Sequence, residues 1–302
     1  MKNTYSKSIT TIGTFDGVHL GHQKILQRLV EKSKKLKLVP TVLTLFPHPR
    51  MVLHPNEPIK LLHTIDERIS FLKRTGINNV VVKEFTKDFS NLSPRDYVKN
   101  ILVDDLKTDY IIIGHDHHFG KNRSANITDL KVFAEDYNFT VEEISAQDVD
   151  DVTISSTKIR NALNEGEVTL ANSFLGYDYF ITGKVVEGDK LGRKLGFPTA
   201  NIHIKENYKL IPKDGVYVVK STIDDAVIFG MMNIGSNPTV GKNKRSIEVH
   251  FFDFKNDLYS KTLKVEFLSR LRDEVKFENV NALRNQLEKD KTNALNFIAA
   301  LK

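Results

Sequence analysis

The chain has 302 residues, 40% hydrophobic and 27% charged, with a net charge of +6 and no cysteine. That length predicts two domains of about 120 to 180 residues each, and the missing cysteine excludes disulfides and thiolate metal sites and suits a reducing cytoplasm. The positive balance favours anionic partners; the opening "MKNTYSKSITTIGTFDG" lacks the apolar centre of a secretory signal, and no apolar run nears the roughly 18 residues of a membrane helix.

Taken in chain order, "SITTIGT" reads as a strand. A helix follows, with Ile25, Leu26, Leu29, Val30 and Leu36 near a 3.6 period. "VPTVLTLF" is a second strand. Thr64 and Glu67 then have capping-box spacing, with Gly76 as the stop. "NVVVKEF" is a third strand, and Ser93-Pro94 opens a helix through Tyr97, Val98, Ile101 and Leu102. "DYIIIG" is wholly apolar, as a strand covered on both faces would be. A helix near 126–138 and the strand "FTVEEIS" complete an alternation that implies a parallel sheet clothed in helices. Ligands in such folds lie at the carboxyl ends of the strands, where His19 and Gly114 fall.

After about residue 178 the pattern changes. "YFITGKVVEG", "GVYVVKSTI", "AVIFGMMNIG", "IEVHFFDF" and "LKVEFLSRL" are strand-like runs separated by Gly, Pro, Asn and Asp, with no helix between them until "NVNALRNQLEKDKTNALNFI". That predicts an antiparallel β-barrel with a terminal helix against it. The expected domains are therefore 1–177, a Rossmann-like α/β sheet, and 178–302, the barrel.

Two histidines, His19 and His22, stand three apart at a predicted helix start. They are either ordinary polar residues of a first turn or a pair facing a phosphate chain. Backbone donors at a helix N-terminus favour an anion, and Gly17 and Gly21 would let bulky phosphates approach. Two imidazoles there could stabilise charge developing on an α-phosphate and on departing pyrophosphate. Downstream, Ser155, Ser156 and Thr157 supply hydroxyls and amides at another helix start, and Arg160 adds a fork that suits phosphate. In the second half, "GKVVEGDKLGRKLGFPTANI" combines glycines with Lys190, Arg193 and Lys194 in a loop that could wrap phosphates. Thr199 and Asn201, two apart on an extended segment, offer hard oxygens on one side, as Mg²⁺ prefers.

"TIGTFDGVHLGHQ" resembles the strand–turn–helix signature of the nucleotidyltransferase superfamily. Its extended form is similar to the adenylyltransferase module of the bacterial bifunctional riboflavin kinase/FAD synthetase family. "LTLFPHPR" (43–50) and "ISSTKIRNAL" (154–163) resemble that family's Pro-His-Pro loop and second phosphate motif. By this resemblance Gly13, Phe15, Gly17, His19, His22, Asp116, Ser155, Ser156, Thr157 and Arg160 would bind ATP, with His19, His22 and Arg160 catalytic, and Phe46, Pro47, His48 and Pro49 would border the flavin. "IIIGHDHHFGKNRSAN" (111–126) follows the family outline through Gly114, Asp116, Phe119, Gly120 and Arg123. It departs at His117 and His118, where aromatic or small polar residues are more usual, and at Asn122 and Ala125, often glycine. The histidine run is not read as a zinc site, since consecutive residues rarely converge on one ion.

The stretch ending "GFPTAN" resembles the riboflavin kinase domain, as do "GVYVV", "MMNIGSNPTVG" and "IEVHFFDFKNDLY". The resemblance implies that Gly188, Lys194 and Thr199 contact ATP and that Thr199 and Asn201 hold magnesium. Glu248 would be the general base for the riboflavin hydroxyl, and Arg272, in "LSRLRDEVKF", a flavin contact. A cytoplasmic enzyme that turns riboflavin into FMN and then FAD is expected, with ATP, riboflavin and FMN as partners. Rival readings are a chain with one live domain, a nucleotidyltransferase for another acceptor, and a non-catalytic binder of flavin or nucleic acid. No basic stripe interleaved with aromatics supports nucleic acid, no membrane association is expected, and the patterns carry no signal of oligomeric state.

Overall fold

The structure, a computed structural model, describes residues 7–114, 117–144, 154–188, 191–236 and 245–301, the side chains of Leu191, Lys194 and Ser236 excepted. The chain divides into two compact units, Met1–Ser156 and Thr157–Lys302.

The first unit runs β1 (Ser8–Ile12), α1 (Leu20–Leu36), β2 (Val39–Phe46), α2 (Pro49–Leu53), α3 (Ile65–Arg74), β3 (Asn79–Glu84), α4 (Lys87–Ser90), α5 (Pro94–Asp96), β4 (Thr108–Gly114), α6 (Ile127–Tyr137) and β5 (Thr140–Ile144). The sheet is parallel, in the order β3-β2-β1-β4-β5. Strand order therefore reverses between β1 and β4, and a crevice opens at such a switch point. Side chains alternate between the faces. Val42 and Ile112 join Ile9, Leu26, Leu29 and Leu72 on one side. Leu43, Ile111 and Ile113 join Val98, Leu102 and Leu130 on the other.

The predicted caps form. Thr64 and Glu67 make the full capping box, and Ser93 accepts from the Asp96 amide with Pro94 in the first turn. Two expectations are corrected. Leu36 is exposed, because α1 reaches its last, lysine-rich turn there. The helix opened by Ser93 is α-helical only to Asp96 and continues as a π-helix over Tyr97–Asp105. The wider π winding gathers Tyr97, Val98, Ile101 and Leu102 onto one buried face more tightly than α winding would.

α7 (Ser156–Glu165) begins on the last residue of the first unit and continues into the second. The second unit goes on through α8 (Val168–Leu175), β6 (Phe180–Val186), α9 (Leu191–Lys194), β7 (Ala200–His203), β8 (Gly215–Ile223), β9 (Ala226–Ser236), β10 (Arg245–Phe251), β11 (Thr262–Arg272) and α10 (Val280–Ala300). Its six strands close into a barrel, β10-β7-β6-β11-β8-β9, with every pair antiparallel. The expectation of strands alone before the terminal helix is corrected by α9, a single turn in the glycine-rich loop. Asn172 of α8 donates to the Phe267 carbonyl at 2.8 Å and accepts from the Tyr179 amide at 2.8 Å, which fastens α8 to the barrel. The packing division after Ser156 and the change of sequence pattern near 177/178 thus mark different things. The first is where contacts change hands; the second is where strands replace the helices. Along α10, Leu287, Ala294, Phe297 and Ile298 pack on Phe197, Val218, Met231 and Leu268.

Candidate active sites

The first site is the turn between β1 and α1. Phe15, Gly17 and Val18 adopt left-handed φ values of 47°, 82° and 35°. Glycine tolerates this, but a β-branched valine at positive φ is a genuine outlier that tertiary contacts must hold in place. The turn delivers His19 to the N-cap of α1 and His22 to its first turn. Their rings stack with centroids 3.7 Å apart, and the Phe15 ring lies 5.0 Å from His22. His22 Nδ1 is buried without a hydrogen-bond partner among the described residues. Burial holds the His22 pKa well below the ordinary histidine value, aided by the positive fields of His19 and Arg68. The imidazole is therefore neutral, and a neutral ring still offers one N–H to a phosphate oxygen.

The other predicted residues stand on or next to β1, β2, α2 and α7. The Gly13 amide donates to the Leu43 carbonyl at 3.1 Å, placing the turn beside β2. Phe46 ends β2 and joins Pro47 through a cis peptide. His48 caps α2, its Nδ1 accepting from the Arg50 amide at 3.2 Å, with Pro49 in the first turn. Ser156 donates through Oγ to the Asp16 carbonyl at 2.9 Å, so the second phosphate motif reaches the first. Ser155 precedes it, and Thr157 and Arg160 follow along α7 in the second compact unit. Asp116 and His115 lie outside the described residues. In the 117–126 loop Asn122 has φ 55°, a left-handed position that asparagine tolerates. Ala125 pairs with Phe119 in a short antiparallel bridge.

Composition and spacing did not single out two residues at the centre of this site. Asp16 and Arg68 are both 0% exposed. Asp16 accepts from the amides of Leu62 and His63 at 3.0 and 3.1 Å, and its carboxylate lies 3.8 Å from the Arg68 guanidinium. Arg68 looks like one charge among several in "IDERISFLKR". Its spacing of four from the buried Leu72 was the one available sign that it shares the inward face.

The second site lies on the barrel. β10 pairs with β7 so that Glu248 stands opposite Asn201. Thr199 donates through Oγ1 to Glu248 Oε2 at 3.1 Å, and Ser246 through Oγ to Oε1 at 3.3 Å. Glu248 shares the outward-alternating positions of β10 with Ser246 and His250, while Ile247, Val249 and Phe251 are buried. Gly188 backs directly against the Asn201 side chain, where a Cβ would collide with the amide, so glycine is required for close approach. Thr199, Asn201, Glu248 and Gly188 thus lie together on the barrel. Beside them is a cleft of about 570 Å³ lined by Val185, Arg193, Thr199, Phe251, Phe254 and Tyr259. Lys190 and the Lys194 side chain lie outside the described residues. Arg272 does not join this cluster through its fork: its Nε and Nη2 grip Asp290 of α10 at 2.7–3.1 Å.

Residues 1–158 match the FAD synthetase family and residues 175–298 the riboflavin kinase family. The bifunctional riboflavin kinase/FMN adenylyltransferase of Buchnera aphidicola from Schizaphis graminum is 41% identical over 96% of this chain and 94% of its own length. The protein of that name from Listeria monocytogenes is 39% identical over 97% of this chain and 93% of its own. A crystal structure described as a macrolide-efflux protein from Streptococcus pneumoniae superposes with a TM-score of 0.87 at 31% identity, covering 97% of this chain and 95% of that one. Among the described residues of this chain, no helix is long and apolar enough to cross a membrane. Similarity of this degree over nearly the whole length, with both halves matched in order, places the chain in the bifunctional riboflavin kinase/FMN adenylyltransferase family.

Proposed function

We propose that the chain makes FAD from riboflavin in two successive transfers, one in each half. The barrel half phosphorylates riboflavin with ATP to give FMN and ADP. The N-terminal half joins AMP from a second ATP to FMN, giving FAD and pyrophosphate. The observation that carries this reading is that both family matches occur on one chain, each spanning the half that holds its cluster of site residues. We assign the adenylyltransferase activity to 1–177 and the kinase activity to 178–302.

In the kinase half, Glu248 takes the proton of the riboflavin 5′-hydroxyl as that oxygen attacks the γ-phosphate, and ADP leaves. Thr199 and Ser246 fix the carboxylate through the two bonds just described. The donor set at Thr199 and Asn201 fits magnesium: both oxygens are hard and neutral, and Thr199 directs its proton at Glu248, leaving lone pairs for a cation. Bound magnesium would neutralise charge on the nucleotide phosphates. Gly188 and Lys194 border the ATP. Any flavin contact by Arg272 runs through its aliphatic stem or the second Nη1 hydrogen, since Asp290 holds Nε and Nη2 and the Asp273 carbonyl accepts from Nη1 at 2.9 Å.

In the adenylyltransferase half, a phosphate oxygen of FMN attacks the α-phosphate of ATP and pyrophosphate departs. His19 and His22 stabilise the charge that grows on the reacting phosphates, and positioning supplies most of the rest. Gly13, Phe15, Gly17, Ser155, Ser156 and Asp116 surround the nucleotide, and Phe46 to Pro49 border the flavin. Cytoplasmic location fits the cysteine-free chain, and its partners are small molecules rather than nucleic acid.

The test is chromatography of riboflavin incubated with the protein, ATP and Mg²⁺. FAD is the expected product, with FMN as the intermediate. Failure to convert either riboflavin or FMN would overturn the assignment.

A further inference from the structure

We propose that Asp16 and Arg68 are a positioning pair for adenylyl transfer, holding the β1–α1 turn in the geometry that presents His19 and His22. The inference rests on the adenylyltransferase reading of this site. Its starting point is the turn itself, where Phe15, Gly17 and Val18 are all left-handed. The Val18 amide closes the turn by donating to the Phe15 carbonyl at 3.2 Å, but a left-handed valine is strained and needs further support from its surroundings. Asp16 sits inside it, and both its carboxylate and its carbonyl are anchored.

The anchors reach three separate stretches of the unit. Asp16 Oδ2 and Oδ1 accept from the Leu62 and His63 amides at 3.0 and 3.1 Å, which docks the segment before α3. The Asp16 carbonyl accepts from Ser156 Oγ at 2.9 Å. Arg68, beside the carboxylate at 3.8 Å, donates through Nη1 to Thr44 Oγ1 at 3.2 Å and to the Leu45 carbonyl at 3.4 Å. Thr44 passes the link on by donating to the Thr14 carbonyl at 3.0 Å, back in the turn. A closed circuit therefore runs from Arg68 through Thr44 to residue 14 and returns from Asp16 to Arg68. It also fixes Leu45, immediately before the Phe46-Pro47 segment. The buried pair thus ties the turn to β2 and to the segment before α3, and the Asp16 backbone ties the same turn to Ser156.

Neither charge is placed to touch a substrate, since both side chains are fully enclosed. Their effect acts through His19 and His22. A displacement of about 1 Å at a reacting centre costs on the order of 100-fold in rate. Loss of the pair should therefore lower kcat and kcat/KM together and leave KM nearly unchanged, the signature of an interaction realised in the transition state.

The experiment uses the full chain and Arg68→Gln, Arg68→Lys and Thr44→Val. Each is assayed for FAD formation from supplied FMN and, in the same sample, for FMN formation from riboflavin. Expected are a loss of about 100-fold in adenylylation kcat for Arg68→Gln, partial recovery in Arg68→Lys, and a loss of about 10-fold for Thr44→Val. KM values for ATP and FMN should stay within about threefold, and kinase activity should match the parent. Thr44→Val keeps the charge pair and nearly the same volume, so it carries the test if Arg68→Gln fails to fold. Adenylylation within twofold of the parent in Thr44→Val and in every Arg68 variant that folds, or a loss confined to KM, overturns the proposal. A parent chain that makes no FAD from FMN would instead overturn the adenylyltransferase reading.

Discussion

The two sites are built by different means. In the barrel, Glu248 and Asn201 face each other because β10 and β7 pair in that register, so backbone hydrogen bonds fix the distance between functional side chains. In the N-terminal sheet, His19 and His22 ride on a turn with three left-handed residues, held by side-chain anchors from α3, β2 and residue 156. A site set by strand register needs little beyond its own motif. A site set on a strained turn depends on buried polar residues far from the motif. Errors in register are forbidden by a whole ladder, whereas errors in a turn are opposed only by a few specific contacts.

Substitutions at the two sites test this difference in construction. Glu248→Gln should lower riboflavin phosphorylation by about 10²- to 10⁴-fold, the usual contribution of a general base, and leave FAD formation from supplied FMN intact. Chromatography of both products checks this. If FAD formation falls as well, the sites are not independent. Asp16→Ala removes one partner of a fully buried charge pair and should destabilise the first unit by about 3–5 kcal/mol. Urea unfolding followed separately for the two units should place that loss in the first alone. His22→Ala should slow adenylylation by about 10²- to 10³-fold, as the loss of one oxyanion donor does elsewhere. FMN would then accumulate from riboflavin.

A weaker effect is expected from pH, and only in the first unit. Because the folded His22 pKa is depressed by burial first, then by His19 and Arg68, the unfolded chain binds a proton that the folded one refuses. Stability of the first unit is then full above about pH 6.5 and declines as pH falls towards the folded pKa, by at most about 1.4 kcal/mol per pH unit. His22→Gln should flatten that slope in urea titrations across pH 5 to 7. An unchanged slope would mean that His22 is accessible enough to protonate in the folded state.

Sequence patterns were legible where a local rule applied. β2 spans the predicted "VPTVLTLF", and the Thr64 box and the Ser93-Pro94 start form as local capping chemistry requires. The short helices α2, α4 and α9 were not foreseen, because four or five residues carry too little periodicity to read. Nor was the π-helix, since its choice over α winding depends on what Tyr97 and Leu102 pack against. Asp290, which holds the Arg272 fork, is buried, yet it stands in the charged run "EKDK" with no local mark of that burial.

Local patterns in the chain account for the parallel sheet, the barrel, the caps and the residue types at both sites. These follow from hydrophobic period, turn chemistry and short motifs, all encoded among near neighbours. Long-range packing is what buries Asp16 with Arg68, brings Thr44 and Ser156 to the same turn, and engages Arg272 with α10. Burial of a charge depends on partners brought from distant positions, and an isolated stretch of chain carries no record of which partners those are.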